Sequence, residues 1–183
     1  LWKRPLEEGF MIHRNTMIAT AETLYLADDH SCKLIAAATG EVRDEIIVPA
    51  SGGEGPSWKW MALAEGTLYA LVGPTEPPDP TVKGTRQARG WPWNGTALGR
   101  GYNSKSYPWG FGNTILALDP ATKQVRWRHH EAEPLDARGL CLAAGRLFFY
   151  SQGKFLGALD TRTGQPLWKT SDDEVLKAIG GDR

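Results

Sequence analysis

No run of apolar residues in this chain approaches the 18 or so that a membrane-spanning helix requires, so no membrane span is expected. Neither sign of charge is in excess. Lysine plus arginine and aspartate plus glutamate both number 21, for a formal net charge of zero. A protein built to hold nucleic acid usually carries a basic surplus, so nucleic acid is not an expected partner. Cysteine is scarce: Cys32 and Cys141 stand far apart, which excludes a disulfide framework and any C-x-x-C or C-x-x-C-H motif. Both are expected to be small packed thiols. There is no G-x-S-x-G elbow and no P-loop. Between residues 11 and 169 no stretch places apolar residues at i, i+3, i+4 and i+7, which excludes a helical solenoid.

What is present is a globular composition, 41% hydrophobic and 23% charged, rich in tryptophan and organised as a repeat. Ala117-Leu118-Asp119-Pro120-Ala121-Thr122-Lys123-Gln124-Val125-Arg126-Trp127 aligns with Ala158-Leu159-Asp160-Thr161-Arg162-Thr163-Gly164-Gln165-Pro166-Leu167-Trp168 at an offset of 41 residues. A basic residue follows each tryptophan (Arg128 and Lys169). A weaker copy, Leu34 to Asp44, keeps Thr39-Gly40 and Val42, with Ala36 in the Asp position and Asp44 in the Trp position. Leu1-Trp2-Lys3 reads like Leu167-Trp168-Lys169, as the end of a unit that lies upstream. A period near 42 residues falls in the range of propellers and repeat arrays.

Each unit also divides into four short β-branched, aromatic or aliphatic runs between Gly, Asp and Thr turns, the pattern of strands joined by hairpins. The runs are 15–19, 23–27, 33–37 and 42–48 in the first unit. They are 58–63, 67–72, 114–118 and 125–128 in the second, and 138–143, 146–150, 155–159 and 166–169 in the third. The expected fold is all-β: about three four-stranded propeller blades over roughly 11–50, 56–130 and 136–170, a partial propeller. A short helix is expected over 171–180, opened by Ser171 as N-cap with Glu174 three residues on.

The motif Ala-x-Asp-x-x-Thr-Gly-x-x-x-Trp, complete over 158–168 and lacking only the glycine over 117–127, resembles the tryptophan-docking motif of propellers of the pyrroloquinoline-quinone (PQQ) type. Such repeats occur in quinoprotein dehydrogenases and in the propeller subunit of the outer-membrane β-barrel assembly machinery. The chain is similar as well to PQQ-like repeat proteins of planctomycete bacteria. The resemblance implies a structural role for Asp119, Thr122, Trp127, Asp160, Thr163, Gly164 and Trp168. Asp and Thr-Gly shape the turn into the outer strand, and the tryptophan packs on the neighbouring blade. It also implies further blades in the same polypeptide, since three do not close a ring, and a periplasmic or extracytoplasmic location.

Residues for chemistry are sparse. Asp28-Asp29-His30, with Cys32 beside them, reads as a turn rather than a metal site, because the mixed ligand spacing matches no strong rule. His129 and His130 are neighbours on a strand and point to opposite faces. No catalytic residue and no metal set emerges. The insertion from Pro74 to Gly112 is the most distinctive stretch. It contains no acid after Asp79, yet holds Lys83, Arg86, Arg89, Arg100 and Lys105 among Trp91, Trp93, Tyr102, Tyr107, Trp109 and Phe111. Disordered linkers are poor in aromatics, so it is expected to order against something. Three occupants fit: the propeller's own surface, a ligand or glycan stacked on the rings, or a protein partner gripped by Trp, Tyr and Arg. Candidate binding residues are Arg89, Trp91, Trp93, Arg100, Tyr102, Tyr107 and Trp109. Asn94-Gly95-Thr96 is read as a turn. The expected function is a non-catalytic binding or scaffolding segment of an envelope protein. The alternative is part of a PQQ-dependent dehydrogenase oxidising an alcohol or sugar, with PQQ and Ca²⁺ held mostly by other blades.

Overall fold

The structure, a computed structural model, describes residues 2–3, 16–27, 31–48, 57–74 and 110–179. These form three four-stranded antiparallel sheets, each built in simple up-and-down order. The first holds β1 (Met17–Ala19), β2 (Thr23–Ala27), β3 (Ser31–Ala36) and β4 (Val42–Ile47). The second holds β5 (Ser57–Ala64), β6 (Thr67–Gly73), β7 (Phe111–Leu118) and β8 (Val125–Asp136). The third holds β9 (Cys141–Ala143), β10 (Arg146–Ser151), β11 (Phe155–Asp160) and β12 (Pro166–Thr170), followed by α1 (Asp173–Ala178). The all-β blade architecture expected from the repeat is therefore the one observed.

Turn chemistry sets the hairpins. Glu65-Gly66 and Ala144-Gly145 both have two consecutive positive φ angles (49° and 70°, 48° and 71°), the signature of the two-residue turns whose twist matches that of paired strands. The first blade reaches the same end differently: Thr20 Oγ1 accepts from the amides of Glu22 and Thr23. The turns between third and fourth strands repeat more closely. Asp119 Oδ1 accepts from the amides of Ala121 and Thr122, and Asp160 Oδ1 from those of Arg162 and Thr163. The ladder slips just before each of these turns, at Leu34/Ile35, Ala117/Leu118 and Ala158/Leu159. The irregularity thus recurs as a bulge at one repeat position in the three described blades.

The core lies between sheets. Strand side chains alternate, so β6 divides its residues: Leu68, Ala70 and Val72 pack with Ala27, Cys32, Ile46 and Val48 of the first blade. Tyr69 and Leu71 pack instead with Leu147, Phe149 and Leu159 of the third. The middle blade is thus covered on both faces, and β6 is buried along its whole length. Each fully buried aliphatic side chain contributes about 1.5–3 kcal/mol, so these two seams carry most of the stabilising burial.

Two differences from the sequence expectation stand out. The cap of α1 is Asp172, whose carboxylate accepts from the amides of Glu174 and Val175; Ser171 lies one residue too early for that geometry. And β8 does not stop at Arg128 but runs to Asp136, because the returning chain at Phe111 and Gly112 pairs with Asp136 and Leu135.

Candidate functional site

Two ends of the blades differ in chemistry. One end carries the tight turns and the docking motif. Trp127, at the outer strand of the second blade, donates from Nε1 to the Thr161 carbonyl of the third at 2.9 Å. Its indole lies over Gly164: a Cβ built there would stand 2.6 Å from the Trp127 ring, so only glycine leaves room. Tyr69 supports it with a tilted ring contact of 5.9 Å and a hydroxyl that donates to the same carbonyl. Trp2 repeats the arrangement on the first blade. Its Nε1 donates to the Ala37 carbonyl at 2.8 Å, and a Cβ on Gly40 would stand 2.5 Å from its ring. Between the first and second blades both partners change. Asp44 occupies the tryptophan position, Lys123 the glycine position, and the two form an ion pair.

The remaining docking residues take these places. Asp119 holds its own turn and pairs with Arg126 at 2.7 Å. Arg126 and the turn amides of Thr122 and Ala121 pull the Asp119 carboxyl down to about 2. Asp160 is likewise lowered, first by the Thr163 amide, and the Thr163 hydroxyl adds a bond to it at 3.1 Å. Trp168 stacks at 6.2 Å on Phe148, as Trp127 does on Tyr69, but is 40% exposed. Its face meets no further blade among the described residues. A groove of about 350 Å³ beside this end is lined by Glu65, Arg146, Asp160, Arg162 and Leu167; its Asp160 is already committed to the turn.

At the other end, where β6 leaves and β7 returns, buried polar side chains gather: Thr16, Ser31, Ser57, Lys59, Thr114, Asp136 and Ser151. Gly73 and Gly112 pass backbone to backbone, a Cβ on Gly73 falling 2.7 Å from the Gly112 Cα. The insertion therefore leaves a closed stem. Asp136 takes a forked bond from the Arg138 guanidinium, and Ala137 donates to the Gly110 carbonyl at 2.8 Å. Arg89, Trp91, Trp93, Arg100, Tyr102, Tyr107 and Trp109 lie outside the described residues, as do Asp28, Asp29 and His30.

The two histidines part as their spacing requires: His130 Nδ1 meets Thr114 Oγ1 at 2.9 Å, while His129 Nε2 meets Glu131 at 2.9 Å. Sequence reading missed Glu131. It is 9% exposed and binds Lys169 of the third blade at 2.7 Å, with the ammonium 3.8 Å from the Phe155 ring centroid. Burial pushes the Glu131 carboxyl up, but bonds from Lys169 and His129 outweigh it and leave the group below its usual range. The signal was available in His129-x-Glu131, two residues on one strand face, beyond the point where β8 was expected to end. Cys32 is a fully buried free thiol as expected, whereas Cys141, expected to be packed, is an exposed free thiol on the short edge strand β9. Among the described residues no three His, Cys, Asp or Glu side chains gather to share a metal ion, and no helix is long and apolar enough to cross a membrane.

No family model matches the chain. A quinoprotein alcohol dehydrogenase of Pseudomonas putida is 31% identical over 127 residues, which is 68% of this chain and 19% of that enzyme. The chain thus spans about a fifth of the length of that relative. Among solved structures, BamB from Moraxella catarrhalis superposes with a TM-score of 0.52 at 14% identity, covering 93% of this chain and 42% of that one. The quinohemoprotein alcohol dehydrogenase of Comamonas testosteroni gives 0.51 at 19% identity, covering 85% of this chain and 30% of that one. Sequence likeness to the first, fold likeness to the others and a docking contact repeated along the chain agree: the described residues form three β-propeller blades similar to those of PQQ-type, quinoprotein-like propellers.

Proposed function

We propose that the chain is a non-catalytic binding and scaffolding segment of a larger PQQ-like propeller in the bacterial envelope, on the extracytoplasmic side. The aromatic and basic insertion of the middle blade supplies the binding residues for a ligand, a glycan or a protein. One observation carries the reading: the insertion departs from a stem already closed by β6, β7 and β8, where Gly73 and Gly112 touch. The blade does not need those residues to complete its ladder, so they are free to serve recognition. Arg89, Trp91, Trp93, Arg100, Tyr102, Tyr107 and Trp109 supply flat rings and guanidinium groups of the kind that stack on sugars or anchor protein partners.

The second reading, part of a PQQ-dependent alcohol or sugar dehydrogenase, rests on the 31% match. Ca²⁺ takes six to eight oxygen ligands. The buried carboxylates described here, Glu131 and Asp136, are already bound to Lys169 and His129 and to Arg138. The described residues do not by themselves fit a PQQ–Ca²⁺ site, and no reaction step is assigned to them. A dye-linked oxidation assay separates the readings. Full-length protein supplied with PQQ and Ca²⁺ is expected to oxidise neither alcohols nor aldoses above the protein-free rate. Turnover that saturates with substrate would overturn the scaffold reading.

A further inference from the structure

The docking contact is replaced at one seam, where the tryptophan and the glycine positions both change and the two replacements meet. Where a tryptophan docks, the receiving turn has glycine in left-handed conformation, at φ 76° for Gly40 and 69° for Gly164. A Cβ at either place would stand 2.5–2.6 Å from the ring. Lys123 has the same left-handed φ, 63°, and carries the Cβ that the other two turns forbid. No indole fits against that turn in the manner of Trp2 or Trp127. The residue opposite it is Asp44, and its carboxylate receives the Lys123 ammonium and the Glu45 amide. Lysine in a left-handed turn is strained where glycine is not. The turn accepts that strain at the one seam where a carboxylate has replaced the indole.

We propose that Asp44 and Lys123 form a charge key that determines which blade faces which. The outer strand of the first blade fits a turn bearing a cation in the glycine position. The turn of the second blade excludes any strand bearing tryptophan, Trp168 included. In an array of blades of one architecture, a unit that docks on the wrong turn is a misfolded chain, and one unlike pair fixes the register of the rest by excluding alternatives. The pair is half exposed on both sides (41% and 42%), so its contribution to overall stability is small; its effect lies in exclusion.

Two mutant cycles in the full-length protein test this by thermal unfolding. In the charge-swap cycle, Asp44→Lys and Lys123→Asp should each lower Tm by about 1–3 °C. The double variant should recover to within about 1 °C of the parent. In the docking cycle, Asp44→Trp alone should lower Tm. Asp44→Trp with Lys123→Gly should restore or raise it, because the indole then has its slot. Shifts that simply add in the charge-swap cycle would overturn the key. If Asp44→Trp is tolerated equally with lysine or glycine at position 123, the exclusion is overturned. The first cycle changes no volume in the core, so it reads out even if the tryptophan variants fold poorly.

Discussion

At the scale of single residues, stability at the seams is concentrated in a few contacts. Trp127 is half-buried, donates a hydrogen bond across the seam and packs on Tyr69. Trp127→Ala is therefore expected to cost about 2–3 kcal/mol, below the roughly 3–5 of a fully buried aromatic, measured by denaturant unfolding of the full-length protein. The carboxylates give a second prediction, in pH. Asp119 at about 2, with Asp160 and Glu131 also lowered, ionise more readily folded than unfolded. Their contribution is complete above the ordinary carboxylate range near 4 and is lost as pH falls through it toward about 2. Tm should be flat from pH 7 to about 5 and fall steadily below. A Tm that holds level down to pH 2.5 would contradict these pairings. The docking motif was legible because it repeats. The Asp44–Lys123 pair was visible only as two separate departures, since it joins the strand of one repeat to the turn of the next. Glu131 left only the His129-x-Glu131 spacing as a trace, because the mostly polar stretch His129 to Glu133 looks like a loop unless its pairing strand is known.

At the scale of elements, the hairpins could be read because each has its own turn chemistry, and most strand bounds lie within three residues of expectation, β7 starting at Phe111 and β9 at Cys141. β8 is the exception. Its last third is held by Phe111 and Gly112, residues that belong in sequence to the far side of the insertion, so no local pattern announces it. The cap of α1 moved by one residue because Asp172 outcompetes Ser171 for the Glu174 and Val175 amides. The closed stem leads to a prediction about the insertion. Replacing residues 75–109 by a short Asn-Gly hairpin should leave Tm within about 3 °C and the far-ultraviolet circular dichroism unchanged. The β6–β7 register from Leu68↔Leu118 to Val72↔Thr114 is complete without them. Loss of cooperative unfolding would show instead that the insertion is part of the core.

At the scale of the molecule, the described residues place no further blade against the outward face of the third blade. Phe148 and Trp168 there reproduce the geometry of Tyr69 and Trp127, at 6.2 Å against 5.9 Å, with no described turn opposite. If a further blade of the same polypeptide sits there, its turn should carry glycine beneath the indole. In the full-length protein Trp168→Ala should then cost about as much as Trp127→Ala. A cost below about 0.5 kcal/mol, the usual range of surface substitutions, would mean that nothing docks on this face. The propeller architecture was readable from period and motif alone, because those encode stacking. Function was not, since the insertion proposed to serve recognition belongs to no repeat.

The most direct test of the scaffold assignment is calorimetric titration of the full-length protein with PQQ in the presence of Ca²⁺. No saturable heat is expected. Saturable binding at micromolar affinity or better would contradict that assignment and make the chain part of a cofactor-bearing dehydrogenase.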